Sequence, residues 1–502
     1  MPDRTRVSDD SSRSTLPPLA RGPVIAAVAT IAVVLTAVSN GYGFHRDELY
    51  FRMLRPAWGY VDQPPLTPLI ARLFRQIADE PWAVRIPATL CAAASVAIVA
   101  LITREVGGGR LAQTLCAWGY ASASAPLLFG HVFLTSSLDL VVWPLVLLLI
   151  IRAVLRDQPR WWLGAGVVTG VSMYNKLLIA GLLLSLAVAL AIVGPRRLLT
   201  SKWVLGSALL AVVIGAPNLV YQATHHWPQL TMGRALARNN GGVTRPMVVP
   251  FQILLLGPPL APVWIAGLVA LLRRRQWQPI RFLGIGFLVL VVLTEIIGAQ
   301  FYYPFGLLTV IYAIGCVPAA DFLHRAKSWW PRATVGLFAL NGVVSVLIAL
   351  PLLPASMLAN TPIPGINQTA GDQIGWPTYV RQIATVYRSL TPAEQAITVV
   401  IASNYGEAGA VTRYGPGLGL PKAYSGQNEL YFDARPPDST RTAVVVGDAL
   451  SVARSEFGSC VVKAHLDSGT GVDNEEQGKS VAICTDPRQQ WRQLWPAFQH
   501  YD

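Results

Sequence analysis

The sequence predicts a polytopic α-helical membrane protein of about eleven spans, followed by a small α/β domain. Apolar residues make up 53% of the 502-residue chain and charged residues only 13%, whereas roughly 25% of a soluble protein is charged. As far as residue 352, short polar loops alternate with apolar runs, most of them near the roughly 20 residues that cross a bilayer. Beyond that point the chain becomes polar and rich in Gly, Asn, Asp and Pro turns.

The charges are distributed as in a membrane protein with positive loops inside the cell. The formal net charge is +13, and most of the surplus lies in alternate loops, as is typical of cytoplasmic loops. A nucleic-acid surface would instead cluster its basic residues on one face, so nucleic acid is excluded as a partner. The predicted cytoplasmic residues are Arg4, Arg6, Arg13 and Arg21 in a tail over 1–22, then Arg104, Arg110, Arg152, Arg156, Arg160, Arg196, Arg197, Lys202, Arg273, Arg274, Arg275, Arg281, Arg325, Lys327 and Arg332.

The apolar runs predict a membrane domain over residues 23–352. An odd number of spans places the two ends of the chain on opposite sides of the membrane. We therefore expect a multi-pass protein of the cell (plasma or inner) membrane with a cytoplasmic N-terminus and an extracytoplasmic domain over 353–502. The predicted spans are 23–40, 82–103, 111–130, 134–153, 161–175, 177–193, 203–221, 248–271, 282–299, 303–319 and 333–352.

The stretch over residues 161–193 predicts a turn within the membrane. It is too long for one helix of about 20 residues and too short for two full ones. A single span would also put Arg196 and Arg197 outside and reverse every later loop. We therefore expect two short helices that meet at YNK, residues 174–176. Non-helical backbone at this depth lines a cavity or is buried in protein, which makes Lys176 a functional candidate.

The first outer loop, residues 41–81, contains two amphipathic segments. FHRDELYFRML at 44–54 places Tyr50, Phe51 and Leu54 on one helical face with Asp47. The second segment, YVDQPPLTPLIARLF, covers residues 60–74. Both are too short to cross a bilayer, so they predict helices that lie in the membrane interface.

Residues 353–502 predict a small α/β domain, because short apolar runs alternate there with helix-like stretches and turn residues. The predicted strands lie at 397–402, 442–447, 460–465 and 480–484.

The five cysteines divide between the two parts of the chain. Cys91, Cys116 and Cys316 lie in predicted spans, where cysteine is a small apolar residue. Cys460 and Cys484 lie on neighbouring predicted strands, which bring Cα atoms within the roughly 4.4–6.8 Å that a disulfide needs. Disulfides persist in extracytoplasmic compartments, so we expect this pair to be bonded.

The predicted topology gathers the polar residues of the membrane domain in one cavity at its outer face. Each of these residues could instead have a purely structural role. Acidic residues are favourable at the start of a helix, and Asp can cap a helix. Lys can extend to the lipid head groups, and His and Arg are common at the membrane interface. Their coincidence on one face favours a site. The candidates are Asp47, Glu48, Asp62, Asp139, Lys176, His225, His226, Arg234, Arg238, Arg245, Tyr302 and Tyr303.

An ordered set of motifs resembles the polyprenol-phosphate-dependent GT-C glycosyltransferases. It is most similar to family 39, the protein mannosyltransferase and aminoarabinose transferase group, over roughly residues 25–320. A later segment, NYGEAGAVTRYGPGLGLP at 404–421, is also similar to bacterial members. The motifs are RDELY at 46–50, VDQPPLTP at 61–68, WAVRIPATL at 82–90, LDL at 138–140, YNK at 174–176 and AQFYYPFGLL at 299–308.

The resemblance implies a GT-C-like fold and sugar transfer from a polyprenyl-phosphate carrier on the outer membrane face, with no cofactor required. It assigns the general base to Asp47, with Glu48 beside it. Aminoarabinose transferases carry Glu-Lys-Pro-Pro in the second motif, where this chain has DQPP at 62–65. Because that lysine is lost, the resemblance leaves donor-phosphate binding to the remaining basic residues, Lys176, Arg234, Arg238 and Arg245.

The residue types fit this chemistry independently. A sugar phosphodiester already carries its leaving group, so an enzyme needs a base for the acceptor hydroxyl and cations for the phosphate charge. The sequence has no Walker loop or GxGxxG motif to support a nucleotide mechanism. The acceptor is expected to be a lipid, a cell-wall glycan or a protein.

The sequence is also compatible with two other classes of function and with one metal site. A transporter or flippase for a lipid-linked sugar would place charges near the midplane and show repeat symmetry, and a non-catalytic membrane protein could bind cell-wall glycan. Asp62 with His225 or His226 offers ligands that Zn²⁺ or Mn²⁺ accepts, so a divalent metal ion is possible.

Overall fold

The structure is a computed structural model that describes residues 16–502 and is largely helical. Arg4, Arg6 and Arg13 of the predicted cytoplasmic tail lie outside the described residues.

The N-terminal part is a bundle of helices in which every predicted span coincides with one helix or with a broken pair. Most of the helices contribute to one apolar core that extends from Ala20 to Leu350. The helices of this part are α1 (Arg21–Ala37), α2 (Arg46–Phe51), α3 (Leu66–Arg75), α4 (Pro81–Glu105), α5 (Arg110–Ala121), α6 (Ser124–His131), α7 (Thr135–Leu155), α8 (Trp161–Ser172), α9 (Ile179–Val193), α10 (Lys202–Thr224), α11 (Pro228–Leu254), α12 (Ala261–Arg273), α13 (Phe282–Ile297), α14 (Phe305–Arg325) and α15 (Trp329–Ala349).

Several of these helices have the length and composition of membrane spans. Within residues 16–502, five helices are long and apolar enough to cross a membrane, namely α4, α7, α10, α14 and α15. A sixth candidate is the bent pair α11–α12, and α1, α9 and α13 are shorter apolar helices. A multi-pass helical membrane protein follows from these helices, while the count of eleven spans stays a prediction.

The span predicted over 248–271 is a bent pair of helices. α11 begins at Pro228, and its axis meets that of the following helix at 70°. The chain turns here because Gly257 has a φ of +99° and is followed by two prolines, which cannot donate to a helix. The basic stretch with Arg234 and Arg238, expected in a loop, is therefore helical.

The C-terminal part is an α/β unit with a five-stranded mixed sheet in the order β2-β1-β3-β5-β4. β1 pairs in parallel with β2 and β3, whereas β5 pairs antiparallel with β3 and β4. Its elements are α16 (Ala355–Leu358), α17 (Ile363–Ile366), α18 (Gln368–Gly371), α19 (Trp376–Arg388), α20 (Pro392–Gln395), β1 (Thr398–Ala402), α21 (Tyr405–Tyr414), β2 (Ala423–Ser425), α22 (Asn428–Asp433), β3 (Thr442–Val446), α23 (Ala449–Glu456), β4 (Phe457–His465), β5 (Ser480–Pro487) and α24 (Trp491–Leu494).

A disulfide joins two strands at the edge of this sheet. Cys460 in β4 is directly opposite Cys484 in β5, and the two sulfurs are bonded. The bond closes the hairpin whose connection holds the polar segment 466–479.

The C-terminal unit packs directly on the first outer loop. α21 lies against α2, and residues of both helices share one buried core with residues of α19. A Cβ atom added at Gly409 would lie 2.8–2.9 Å from the Cβ and backbone atoms of Leu49. Only glycine permits this approach, so the small residues of the 404–421 segment fit the close contact between the two helices.

Glu407 is buried in α21 and makes the stability of this unit depend on pH. Burial raises the pKa of the Glu407 carboxyl to about 7, and the nearby Glu476 acts in the same direction, although Ser403 donates two hydrogen bonds to it. Because the folded-state pKa lies above the ordinary value of 4.5, the folded state binds the proton more tightly. Its stability is therefore greatest below the ordinary value and falls as the pH rises to about 7.

We expect Glu407→Gln to remove this decrease in folding stability at higher pH. The decrease amounts to about 3 kcal/mol at most between the two pKa values. The measurement is the unfolding midpoint of detergent-solubilised protein from about pH 5 to pH 8. Glu456→Gln, which changes a half-buried carboxylate on α23, is the control and should keep the wild-type dependence. An identical pH dependence in Glu407→Gln and the wild type contradicts the prediction.

Candidate active site

Asp47 lies in the first turn of α2, at the contact between the outer loop and the C-terminal unit. One carboxylate oxygen, Oδ1, accepts a hydrogen bond of 2.9 Å from the Tyr405 hydroxyl. Within residues 16–502, no hydrogen bond reaches the other oxygen, and the side chain is 30% exposed. The carboxylate is therefore anchored through one oxygen and accessible through the other.

Glu48, predicted as a catalytic neighbour, is instead an internal structural anion. Its side chain is fully buried, and its carboxylate accepts two hydrogen bonds of 2.9 Å from Arg85. The backbone N–H groups of Phe133 and His45 donate to the same carboxylate at 2.9 and 2.8 Å. With these partners and no exposure, Glu48 holds α2 against α4 and does not face a substrate.

Asp62 is linked to Asp47 through two stacked tyrosines. The Tyr50 hydroxyl donates to Asp62 Oδ1 at 3.2 Å, and the Tyr50 ring stacks on Tyr405 with 4.7 Å between centroids. Burial raises the pKa of the Asp62 carboxyl to about 7, and the nearby carboxylate of Glu429 also raises it. Asp62 therefore titrates near neutral pH, with Tyr50 as its direct partner.

The predicted turn at 174–176 is present and is fixed by the second motif. α8 ends at Ser172 and α9 begins at Ile179. Asn175 is fully buried, and its Oδ1 accepts from the Thr67 hydroxyl at 2.6 Å. Its amide group donates to Asp139 Oδ1 at 3.2 Å. Segment 61–68 thus joins the turn to the region around Asp62.

Lys176 lies next to the aromatic pair of the last motif. Its Nζ lies 5.5 Å from the ring centroid of Tyr302 and 4.5 Å from that of Tyr303. The two tyrosines, together with Asp139 and Trp143, line a small cavity. The second motif connects this region to Asp47. One end of the motif reaches Asp47 through Tyr50 and Tyr405, and the other end contacts Asn175 beside Lys176.

The three predicted arginines of α11 differ in their distance from the site. The guanidinium of Arg245 packs on Gly298, since a Cβ added there would lie 3.1 Å from Nη2, close to the loop that carries Tyr302 and Tyr303. Arg234 and Arg238 are exposed on α11 and make no ion pair within residues 16–502.

The predicted metal ligands are not part of a cluster of three candidate ligands in the described part of the chain. His225 and His226 are exposed, and His225 stacks on Tyr221 with 4.1 Å between ring centroids. Across residues 16–502, no three His, Cys, Asp or Glu side chains lie close enough together to hold a metal ion. The divalent metal ion therefore stays a prediction, and no chemical step is assigned to it.

The sequence did not single out Tyr405 or Arg85. Tyr405 lies in the NYGEAG segment, whose similarity to bacterial family members was the only signal. Arg85 lies in the WAVRIPATL motif, where an arginine inside an apolar helix indicates a buried partner.

The site combines an accessible carboxylate with an enclosed cation and aromatic rings. Such a carboxylate can take a proton from a hydroxyl group. An enclosed ammonium group can bind a phosphate and stabilise charge that develops on it.

Two comparisons with known proteins agree with this architecture. Residues 62–221 match the family model described as dolichyl-phosphate-mannose-protein mannosyltransferase. The crystal structure of ArnT from Cupriavidus metallidurans bound to undecaprenyl phosphate is similar with a TM-score of 0.60 and 16% identity, covering 91% of this chain and 97% of that one. The apo structure of the same ArnT gives a TM-score of 0.57 and 15% identity, covering 93% and 98%.

No curated protein sequence matches this chain. The structural similarity shows a GT-C-like fold, so the fold expected from the motifs is confirmed.

Proposed function

We propose that the protein is a membrane glycosyltransferase that transfers a sugar from a polyprenyl-phosphate carrier to an acceptor on the extracytoplasmic face. The observation that carries this proposal is the presence, in one part of the molecule, of Asp47, open to solvent through one oxygen, and Lys176, which lies beside Tyr302 and Tyr303. Support comes from the ArnT structure that contains undecaprenyl phosphate and from the mannosyltransferase family that matches residues 62–221.

In the proposed reaction, Asp47 takes the proton of the acceptor hydroxyl while the hydroxyl oxygen attacks the anomeric carbon of the donor. The bond between that carbon and the phosphate oxygen breaks, and polyprenyl phosphate leaves with the electron pair. Lys176 stabilises the charge that develops on the phosphate. Asp139 and Asn175 position Lys176, because Asn175 fixes the turn through Thr67 and contacts Asp139 at 3.2 Å.

The proposal includes a location in the plasma or inner membrane with eleven spans and an outward-facing C-terminal unit. The excess of basic residues in alternate loops supports it. So does the Cys460–Cys484 disulfide, since such bonds persist outside the cytoplasm. The acceptor is a lipid, a cell-wall glycan or a protein.

Transfer of a radiolabelled sugar tests the function. Purified protein is mixed with polyprenyl-phosphate mannose or another polyprenyl-phosphate sugar, and membranes of a deletion strain supply the acceptor. Incorporation of label into the membranes supports the transferase. Movement of the intact donor across vesicles without incorporation would support a flippase instead.

We expect Lys176→Ala to weaken donor binding more than acceptor binding, because the ammonium group contacts the donor phosphate. Charge-assisted hydrogen bonds contribute about 1.5–3 kcal/mol, so affinity for undecaprenyl phosphate should fall roughly tenfold or more. Lys202→Ala, which removes a lysine beside Trp203 at the start of α10, is the matched control. An unchanged donor KM with a raised acceptor KM would contradict this role.

A further inference from the structure

The proposed base is held by a phenol that the C-terminal unit supplies. We propose that Tyr405 is a positioning residue for sugar transfer, which fixes Asp47 by one carboxylate oxygen so that the other faces the acceptor hydroxyl. The 2.9 Å hydrogen bond to Oδ1 and the absence of a partner on Oδ2 within residues 16–502 carry this inference. It rests on the proposed function, because it assigns Tyr405 a role in the same reaction.

Tyr405 is fixed on three sides, as a positioning residue must be. Its ring stacks on Tyr50 at an angle of 28°, and the guanidinium carbon of Arg46 lies 4.8 Å from its centroid on the ring face. Its backbone N–H donates to the side chain of Gln427 at 2.7 Å. The hydroxyl therefore has little freedom to leave Asp47.

The Tyr405 hydroxyl also remains a hydrogen-bond donor at neutral pH. Burial raises the pKa of the Tyr405 phenol well above its ordinary value, and the adjacent Asp47 carboxylate acts in the same direction. The phenol thus stays protonated and remains a donor to the carboxylate.

The position of α21, the helix that carries Tyr405, depends on Gly409. Gly409 contacts Leu49 across the α2–α21 interface so closely that an added Cβ would lie 2.8–2.9 Å from its Cβ, backbone carbon and oxygen. Backbone atoms cannot move aside as a flexible side chain can. The position of α21 relative to α2, and hence the distance from Tyr405 to Asp47, depends on this contact.

The same unit contacts the second motif as well. The Glu429 carboxylate, on α22, accepts a hydrogen bond of 3.0 Å from the backbone N–H of Val61, next to Asp62. The C-terminal unit therefore contacts both outer-loop motifs at the proposed active site.

Tyr405→Phe tests the proposal, since it removes only the hydroxyl and keeps the ring between Tyr50 and Arg46. We expect kcat for labelled transfer from polyprenyl-phosphate sugar to fall roughly tenfold to a hundredfold, the range that one charge-assisted hydrogen bond supplies, with the donor KM unchanged. The matched control is Tyr387→Phe. It removes a hydroxyl that donates to the backbone oxygen of Gln395 at 3.2 Å elsewhere in the C-terminal unit, and it should leave kcat unchanged.

A second variant tests whether the position of α21 matters. Gly409→Ala should push α21 away from α2 and so weaken the hydrogen bond from Tyr405 to Asp47, which lowers kcat. Because Tyr405→Phe already lacks this hydrogen bond, adding Gly409→Ala to it should cause little further loss of kcat. Gly417→Ala, where an added Cβ meets nothing within 4 Å, is its control. Should Gly409→Ala fail to fold, the Tyr405→Phe result alone decides.

The possible outcomes separate this inference from the proposed function. A Tyr405→Phe enzyme with wild-type kcat, or with only its KM changed, overturns the positioning role while the transferase stands. A wild-type protein that transfers no sugar from any polyprenyl-phosphate donor overturns both. A fall in kcat alone, absent in Tyr387→Phe, supports the proposal.

Discussion

Asp47→Asn is expected to slow sugar transfer by about 10²–10⁴, the contribution that general base catalysis typically makes. An amide has the size of the carboxylate and can still accept the Tyr405 hydroxyl, so insertion and folding should be preserved, but it cannot take a proton. The measurement is the initial rate of label transfer at saturating donor, together with the unfolding midpoint in detergent.

Asp448→Asn is the matched control for this experiment, because Asp448 is a 75% exposed carboxylate paired with Lys479 on the C-terminal unit. It should transfer sugar at the wild-type rate. Near-normal turnover in Asp47→Asn would show that another carboxylate is the base, and Asp62 and Asp139 are the remaining carboxylates of the site to test.

Arg85→Met is expected to destabilise the protein by about 3–5 kcal/mol, because it leaves a buried charge without its partner. Arg85 is 1% exposed and Glu48 is fully buried. Arg85 also donates to the backbone oxygens of Ser39 and Gly43 at 2.7 Å, and to Gln373 of the C-terminal part at 3.0 Å. One side chain therefore connects α2, α4 and the C-terminal part.

The unfolding midpoint and the yield of folded protein in detergent measure this effect. Arg274→Met, which breaks a more exposed pair with Asp321, should cost no more than about 1 kcal/mol. Adding Glu48→Gln to Arg85→Met should restore part of the stability, because it neutralises the unpaired charge. Equal stability of the Arg85 and Arg274 variants would contradict the structural role of the Glu48–Arg85 pair.

Features that depend on local pattern could be predicted from the sequence. Apolar runs separated by charged loops gave the helices, because burial in lipid requires an apolar surface along the whole helix. Counting residues over 161–193 located the turn at Lys176, and alternation of apolar runs located four of the five strands. β2, with three residues, is too short to show such a pattern.

Features that depend on partners far along the chain could not be predicted. Asp47 and Tyr405 are 358 residues apart, and no spacing rule connects them. Asp47 and Glu48 are adjacent acids with the same local pattern, yet one is accessible and the other is buried with Arg85. The bend after α11 was missed because Gly257 and the prolines lie within an otherwise continuous apolar run.

The separation between Asp47 and Tyr405 also determines when the site is completed during biosynthesis. At about 5–20 residues per second, a ribosome needs roughly 20–70 s to extend the chain by the 358 residues from Asp47 to Tyr405. During that interval the first outer loop has been made, while the helix that anchors its carboxylate has not. The nascent chain therefore carries an incomplete site, and packing of the C-terminal unit on the first outer loop is the step that completes it.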